Sequence, residues 1–457
     1  MPTPSGRTPD PALPVAPVDR WLAPVVRFMH VEAASGVVLL ACTVIALGLA
    51  NSPLAAWFAA LWHTEVSLSI GEFTIAGDVG HLVINDGLMT IFFFVVGLEV
   101  KREIVSGELR DPRNALLPVF AAAGGVMVPA AIYVLLQWGE PGQRGWAIPM
   151  ATDIAFVVGF LALFGRRVPF GLKIFLLSLA IVDDLVAVLI IAFVFTEQIA
   201  WSWLGIAAVG FALCYLFNRA GVRAVTIYLL VGTVIWFAFL QSGVHPTVAG
   251  VLLGLVTPAT AWVGTKTFAM VLRDSWRQVS GDEDAARADG ADADPSFDVE
   301  RIRFAARETT SPLVRLELAL HPWVAFVIMP LFALANAGVA LELSGLADPI
   351  AMAVAAGLAV GKPAGIVGMS LLAVRSGLTR LPDGVTWSML VAGGCLAGIG
   401  FTMALFINAL AFPVADFPAM EAAGKIGTLT GSLLSAMVGA ALLAMALRRA
   451  PAAPARA

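Results

Sequence analysis

The chain has 457 residues, of which 59% are hydrophobic and only 13% charged, and its mean hydropathy is +0.87. Soluble domains carry about 25% charged residues, so this balance excludes an ordinary water-soluble fold and points to an all-α polytopic membrane protein. The formal net charge of −4 matters less than where the charges lie, and nothing in it implies a nucleic-acid partner.

Residues 1–32 are Pro-rich and carry Arg7, Arg20 and Arg27 ahead of the first apolar run. A signal peptide places its apolar stretch nearer the start and follows it with a small-residue cleavage site. The segment therefore reads as a disordered cytoplasmic tail. A membrane-spanning helix needs about 20 apolar residues. Twelve such runs follow: 33–50, 79–98, 115–138, 146–164, 172–196, 201–217, 224–240, 243–264, 318–341, 350–374, 385–412 and 424–447. The connection 51–78 is longer and of mixed polarity, and its alternating Val66-Ser-Leu-Ser-Ile and Phe73-Thr-Ile read as a small hairpin. Residues 265–316 form a long connection, rich in acids around Asp282 and Asp292, with an amphipathic helix expected at 297–308. It reads as a solvated linker within one twelve-helix domain, 33–448, and 449–457 form a C-terminal tail.

Lys and Arg set the orientation. Lys101, Arg102, Arg110, Arg113, Arg166, Arg167, Arg219, Arg223, Arg375, Arg380, Arg448 and Arg449 fall in alternate connections or in the terminal tail, hence on one side. The other side carries Arg144, Lys425 and mostly acids, among them Glu65, Glu72, Glu140, Glu197, Glu342 and Asp348. Twelve spans with both termini in the cytoplasm satisfy this pattern. Cys42, Cys214 and Cys395 lie far apart in apolar runs and read as packing residues, with neither metal spacing nor a disulfide framework.

The chemistry is concentrated in a few polar residues inside the apolar runs. Asp183 and Asp184 are adjacent in the fifth, flanked by Leu176-Leu-Ser-Leu-Ala and Val186-Ala-Val-Leu-Ile-Ile. A charge at the centre of a membrane helix costs roughly 2.5–3.5 kcal/mol on insertion scales and usually marks an ion or proton pathway. Two adjacent carboxylates repel, so both ionise only when a metal cation, a proton or a basic side chain arrives. Lys362 lies roughly a dozen residues from either end of its run, too deep to snorkel. It is expected to pair with Asp183 or Asp184. Adjacent helical residues differ by about 100°, so one Asp is expected to face Lys362 and the other a water-filled cavity. Thr152 adds a hydroxyl oxygen, and oxygen donors suit a hard cation such as Na⁺ or Li⁺. Asp153, His245, and Asp86 and His81 nearer a span end, complete the set.

Pro149 and flanking glycines interrupt the fourth run, and Gly393, Gly394, Gly398 and Gly400 interrupt the eleventh. Paired interruptions, one in each half, are the sequence pointer to inverted-repeat transporters.

Ala151-Thr152-Asp153-Ile-Ala-Phe, Val182-Asp183-Asp184, Gly361-Lys362-Pro363, Val96-Gly-Leu-Glu99-Val-Lys101-Arg102-Glu103 and Gly398-Ile-Gly-Phe-Thr-Met403 together resemble the NhaA family of bacterial sodium/proton antiporters. The resemblance runs from about residue 20 to 448. It implies twelve transmembrane helices in inverted repeats, with two discontinuous helices, the fourth and eleventh, crossing near mid-membrane. It implies ion binding and proton transfer at Asp183 and Asp184, and compensation of the broken helix ends by Asp153 and Lys362. It implies pH sensing at Glu99, Arg102, Glu103, Glu317 and His321, with His245 also linked to the pH response. Glu99/Glu103 and Glu317/His321 have the i,i+4 spacing of neighbours on a helix. The chain departs from the pattern in its longer tail and 265–316 connection, and in Leu318, where a second His is expected after Glu317.

The reading that follows is an electrogenic, pH-regulated Na⁺(Li⁺)/H⁺ antiporter of the bacterial inner membrane, not an enzyme. It would need no cofactor beyond its transported ions, with the lipid bilayer around it and a homodimer as a compatible assembly. An intramembrane aspartyl protease would place its two Asp on different helices around one water. A channel would need no proton-binding intermediate.

Overall fold

The computed structural model describes residues 32–70, 73–196, 199–222, 225–279, 295–340 and 343–449. The expected tails, apart from residues 32 and 449, and most of the acidic stretch 281–296 lie outside them. Nine helices among the described residues are long and apolar enough to cross a membrane. Two bent pairs and one short apolar helix fill the remaining places of the twelve expected from the sequence.

The first span, Glu32–Ala50, turns by 119° into a short helix, Ala55–Trp62. Strands Glu65–Ile70 and Phe73–Asp78 then form the expected antiparallel hairpin, with Glu65 opposite Asp78. The second span is Val79–Ser106, the third Pro112–Leu136, the fourth Pro141–Phe164 and the fifth Phe170–Val194. The sixth is Trp201–Arg219, the seventh Val225–Ser242 and the eighth the short helix Thr247–Val256. The ninth is Pro312–Asn336 and the tenth Pro349–Arg375. The eleventh is Trp387–Ala397 with Phe401–Ala411, bent by 43°, and the twelfth is Pro418–Arg449. The eighth stops well short of the expected 243–264. Thr257 leaves helical geometry at the residue before Pro258, because a following proline disfavours the α conformation. In the 265–316 connection a helix spans Pro295–Thr309 as expected, and a further one, Thr265–Val279, packs against it.

Helix starts follow local chemistry. Asp78, Asp111, Ser311, Asp348 and Thr386 each accept a hydrogen bond from a first-turn backbone N–H of the span they precede, and Pro112, Pro312 and Pro349 occupy first helical positions. Trp57, Trp138 and Trp201 are exposed at the hairpin end, where amphipathic rings suit a membrane interface. Phe193 is 80% exposed, as a lipid-facing side chain is.

Close backbone contact holds the spans in register. The third runs along the tenth, the second along the eighth, and the eleventh along the twelfth. A Cβ built on Gly124 would lie 2.1 Å from Gly365 O, and one on Gly365 would lie 2.0 Å from Gly124 O. Small residues that let backbones touch are the usual device where lipid removes the hydrophobic drive for helix association. This crossing positions Lys362 of the tenth span beside the fifth. Gly365→Val is expected to force the two spans apart, at a cost of at least about 1–3 kcal/mol. Thermal unfolding in detergent checks this, and an unchanged midpoint would contradict it.

Candidate functional site

The fourth and eleventh spans break where the sequence interrupts them. Pro141–Met150 is a tight helix, residues 151–153 are non-helical, and Ile154–Phe164 resumes as an α-helix. In the eleventh, residues 398–400 separate Trp387–Ala397 from Phe401–Ala411. The two breaks touch: Asp153 N donates to Ile399 O at 2.7 Å. An unwound segment leaves helix ends with unpaired backbone groups and partial charges. Each of the four ends here receives a side chain.

Asp153 caps two helices at once. Its Oδ1 accepts from Phe156 N at 3.2 Å, and its Oδ2 accepts from Thr402 N at 3.0 Å and from the Thr402 hydroxyl. Ser432 Oγ of the twelfth span accepts from Phe401 N at 3.2 Å. The carbonyl ends are covered too: Lys362 Nζ donates to Met150 O, and Thr152 Oγ1 lies 3.0 Å from Ala397 O. Negative groups thus meet the helix N-termini and a cation meets a C-terminus, the favourable signs for the helix dipole.

The carboxylate pair stands beside this crossing. Lys362 Nζ is 2.8 Å from Asp183 Oδ2, and both side chains are fully buried. Thr152 Oγ1 is 2.7 Å from the same oxygen. Asp183 Oδ1 and Asp184 Oδ1 are buried with no hydrogen-bond partner. Asp184 is 1% exposed, and the charged groups acting on it are Asp183, Glu99, Asp153 and Lys362. The expectation that one Asp faces a water-filled cavity is not met: both Asp side chains are buried, and Gly125 of the third span lies beside Asp183 Oδ1. What remains is a buried oxygen set with unsatisfied acceptors, and buried acceptors without partners are costly. A cation or proton entering there would gain what the protein leaves unpaired.

The expected sensor residues assemble at the other end of the second span. Arg102 pairs with Glu317 and lies 3.9 Å from Glu103. Glu99 is half-buried, and Glu317, Arg102 and Glu103 act on it. Glu317 is buried with Oε2 unpartnered, while His321, one turn on, is exposed. His245 is not part of this cluster. Its Nε2 lies 3.5 Å from Asp86 Oδ1, and Asp86 is 13 positions from Glu99 on the same span, roughly 20 Å along a helix.

Sequence reasoning missed three partners. Thr402 and Ser432 complete the capping of the broken eleventh span; a hydroxyl beside the Gly-rich break was the signal for Thr402, while Ser432 comes from the twelfth span and had none. Lys101 Nζ donates to Leu255 O at 2.7 Å and caps the end of the short eighth helix; its place in a charged run hid that role.

The sequence matches the family described as Na⁺/H⁺ antiporter 1 over residues 26–443. It is 49% identical over 431 residues to the Na⁺/H⁺ antiporter NhaA of Rhodopirellula baltica, covering 94% of this chain and 96% of that one. It is 46% identical over 445 residues to Na⁺/H⁺ antiporter NhaA 1 of Acidiphilium cryptum, covering 96% and 95%. The NhaA of Rhizobium meliloti is 46% identical over 439 residues, covering 96% and 98%.

Proposed function

The chain belongs to the Na⁺/H⁺ antiporter family, and on that premise we propose that Asp183 and Asp184 are the site where it exchanges sodium for protons. It is a multi-pass bacterial membrane protein, and its substrates are Na⁺ and H⁺. The observation that carries the site assignment is the pair of buried carboxylates with unpartnered Oδ1 atoms, set between Thr152 Oγ1 and Lys362 Nζ.

Na⁺ entering between the two carboxylates gathers Asp183, Asp184 and Thr152 oxygens and competes with Lys362 for Asp183. Lys362, displaced from Asp183, gives up its proton; when Na⁺ departs, Lys362 takes a proton again as it pairs with Asp183, and Asp184 takes a second. Li⁺, a smaller hard cation, uses the same oxygens. No cofactor takes part. Because one cation replaces more than one proton, each cycle moves net charge and draws on the membrane potential, about 2.3 kcal/mol per charge per 100 mV. The Lys/Arg-rich end, with Arg110, Arg113, Arg375, Arg380 and Arg448, faces the cytoplasm of an inner membrane, and a homodimer is compatible with this placement. The crossing of the two broken spans supports alternating access: helix ends held only by side chains shift at lower cost than continuous helices.

Glu99, Arg102, Glu103, Glu317 and His321 sense pH at the cytoplasmic mouth in this proposal. Competition alone makes exchange rise toward alkaline pH, since protons leave the carboxylate pair, and it also makes added Na⁺ move activation toward acid. A separate sensor acts even when Na⁺ saturates the site. Glu317→Gln removes one negative charge facing Glu99 and Glu103, so half-activation at saturating Na⁺ is expected at lower pH, with maximal exchange nearly intact. Dequenching of a pH dye in proteoliposomes across a pH series tests this. Coincident curves for both proteins would reduce the cluster to an ordinary charged helix end.

A further inference from the structure

Three of the five histidines in the chain, His63, His81 and His245, lie in one line with two aspartates at the hairpin end. His63 Nδ1 is 3.4 Å from Asp78 Oδ2. Asp78 Oδ1 accepts from His81 N at 2.5 Å, which fixes the start of the second span and the place of His81. His81 Nε2 is 3.9 Å from Asp86 Oδ2, and Asp86 Oδ1 is 3.5 Å from His245 Nε2. Side-chain exposure is 61% at His63, 31% at Asp78 and 68% at His81, and drops to 5% at Asp86 and 11% at His245.

We infer that His63, Asp78, His81, Asp86 and His245 form a proton-collecting file that carries protons from the surface at the hairpin end toward the helix crossing. The inference rests on the antiport reading above and adds a route to it. A histidine ring has two nitrogens, so it can take a proton on one and release one from the other. The three side-chain gaps of 3.4–3.9 Å are closed by a small rotamer change or one bridging water. Asp78 meets His81 only at its backbone N–H, which relays no proton, so the exposed His63–Asp78 pair hands protons to the exposed His81 ring through surface water. Thr247 Oγ1 holds His245 Nδ1 at 2.8 Å, so Nε2, buried and without a hydrogen-bond partner, is the atom turned to Asp86. Asp86 sits in the wide-turned stretch Val79–Leu88, a type of turn common where a helix re-aims a functional group. The inner end of the file abuts the broken eleventh span: the His245 ring meets the Phe406 ring edge-on at 5.4 Å, in the half-helix whose start Asp153 caps.

The groups facing the file come from every neighbouring element. The hairpin offers Glu65 opposite Asp78. The seventh span offers Trp236 Nε1, which donates to Asp86 O at 3.1 Å. The ninth offers Asn336, whose Nδ2 donates to Asn85 Oδ1 at 3.0 Å. Glu65 is thus the additional acid, and it adds to the attraction for protons at the outer end.

The test uses the full chain with both outer histidines replaced, His63→Gln with His81→Gln. Both side chains are exposed, so folding is not at stake. Na⁺-driven proton movement is timed with weak buffer on the hairpin-end side, then with imidazole added to that side. The expected result is a several-fold slower rate in weak buffer, restored by imidazole, with the half-saturating Na⁺ unchanged. A double variant as fast as the unaltered chain in weak buffer would overturn the inference, as would a deficit that imidazole leaves in place. Absence of Na⁺-driven proton movement in the unaltered chain would instead contradict the antiport reading beneath it.

Discussion

Asp184→Asn abolishes Na⁺-driven proton movement in proteoliposomes while leaving the protein at least as stable as before. The two halves of this expected result have one cause. Asp184 is buried, its Oδ1 has no hydrogen-bond partner, and Asp183, Glu99 and Asp153 are among the charges acting on it. An amide of nearly the same shape removes a buried ionisable group, which costs stability when it is charged. The same amide neither releases a proton nor balances Na⁺, so exchange falls to background. A folded Asp184→Asn protein that exchanges at the unaltered rate would remove the site assignment. Asp183→Asn also loses exchange, yet it leaves Lys362 without its carboxylate, so its stability falls.

Lys362→Ala carries the largest expected effect on stability. Lys362 is the ammonium that meets Asp183 and also covers the Met150 carbonyl at the end of the first half of the fourth span. Removing one partner of a buried ion pair costs about 3–5 kcal/mol, because the other charge stays behind uncompensated. The variant is expected to unfold at lower temperature in detergent and to lose most exchange. Lys362→Arg restores the charge in a bulkier, flatter form and recovers part of both. An alanine variant with full stability and full exchange would contradict the assigned role.

Much of this architecture was open to reading in the residues themselves. Apolar runs separated by Lys and Arg located the spans, and Pro149 and the glycines around Gly398 located both breaks. A lysine deep in an apolar run predicted a carboxylate partner, and Asp183 is that partner. The rest depended on packing between elements distant in sequence. Asp153 and Thr402 are 249 positions apart, and only the crossing of two unwound segments brings them together. The wide turns at Val79–Leu88 and Gly357–Gly361 leave the hydrophobic pattern unchanged and so give no sequence signal. Burial of Asp183 likewise depends on how closely the third and tenth spans approach, where Gly124 meets Gly365 and Gly125 lies beside its Oδ1. The His63–Asp78–His81 file needed the hairpin register before it became visible.

The central claim is that Na⁺ and protons compete for the same two carboxylates. Proton release on Na⁺ addition to the purified protein, followed by a pH dye in weakly buffered detergent solution, tests it without transport or membrane potential. The account predicts release that saturates with Na⁺, weakens as the starting pH rises, and disappears in Asp184→Asn. Na⁺ binding with no protons released by the unaltered chain, or equal release from Asp184→Asn, would contradict it.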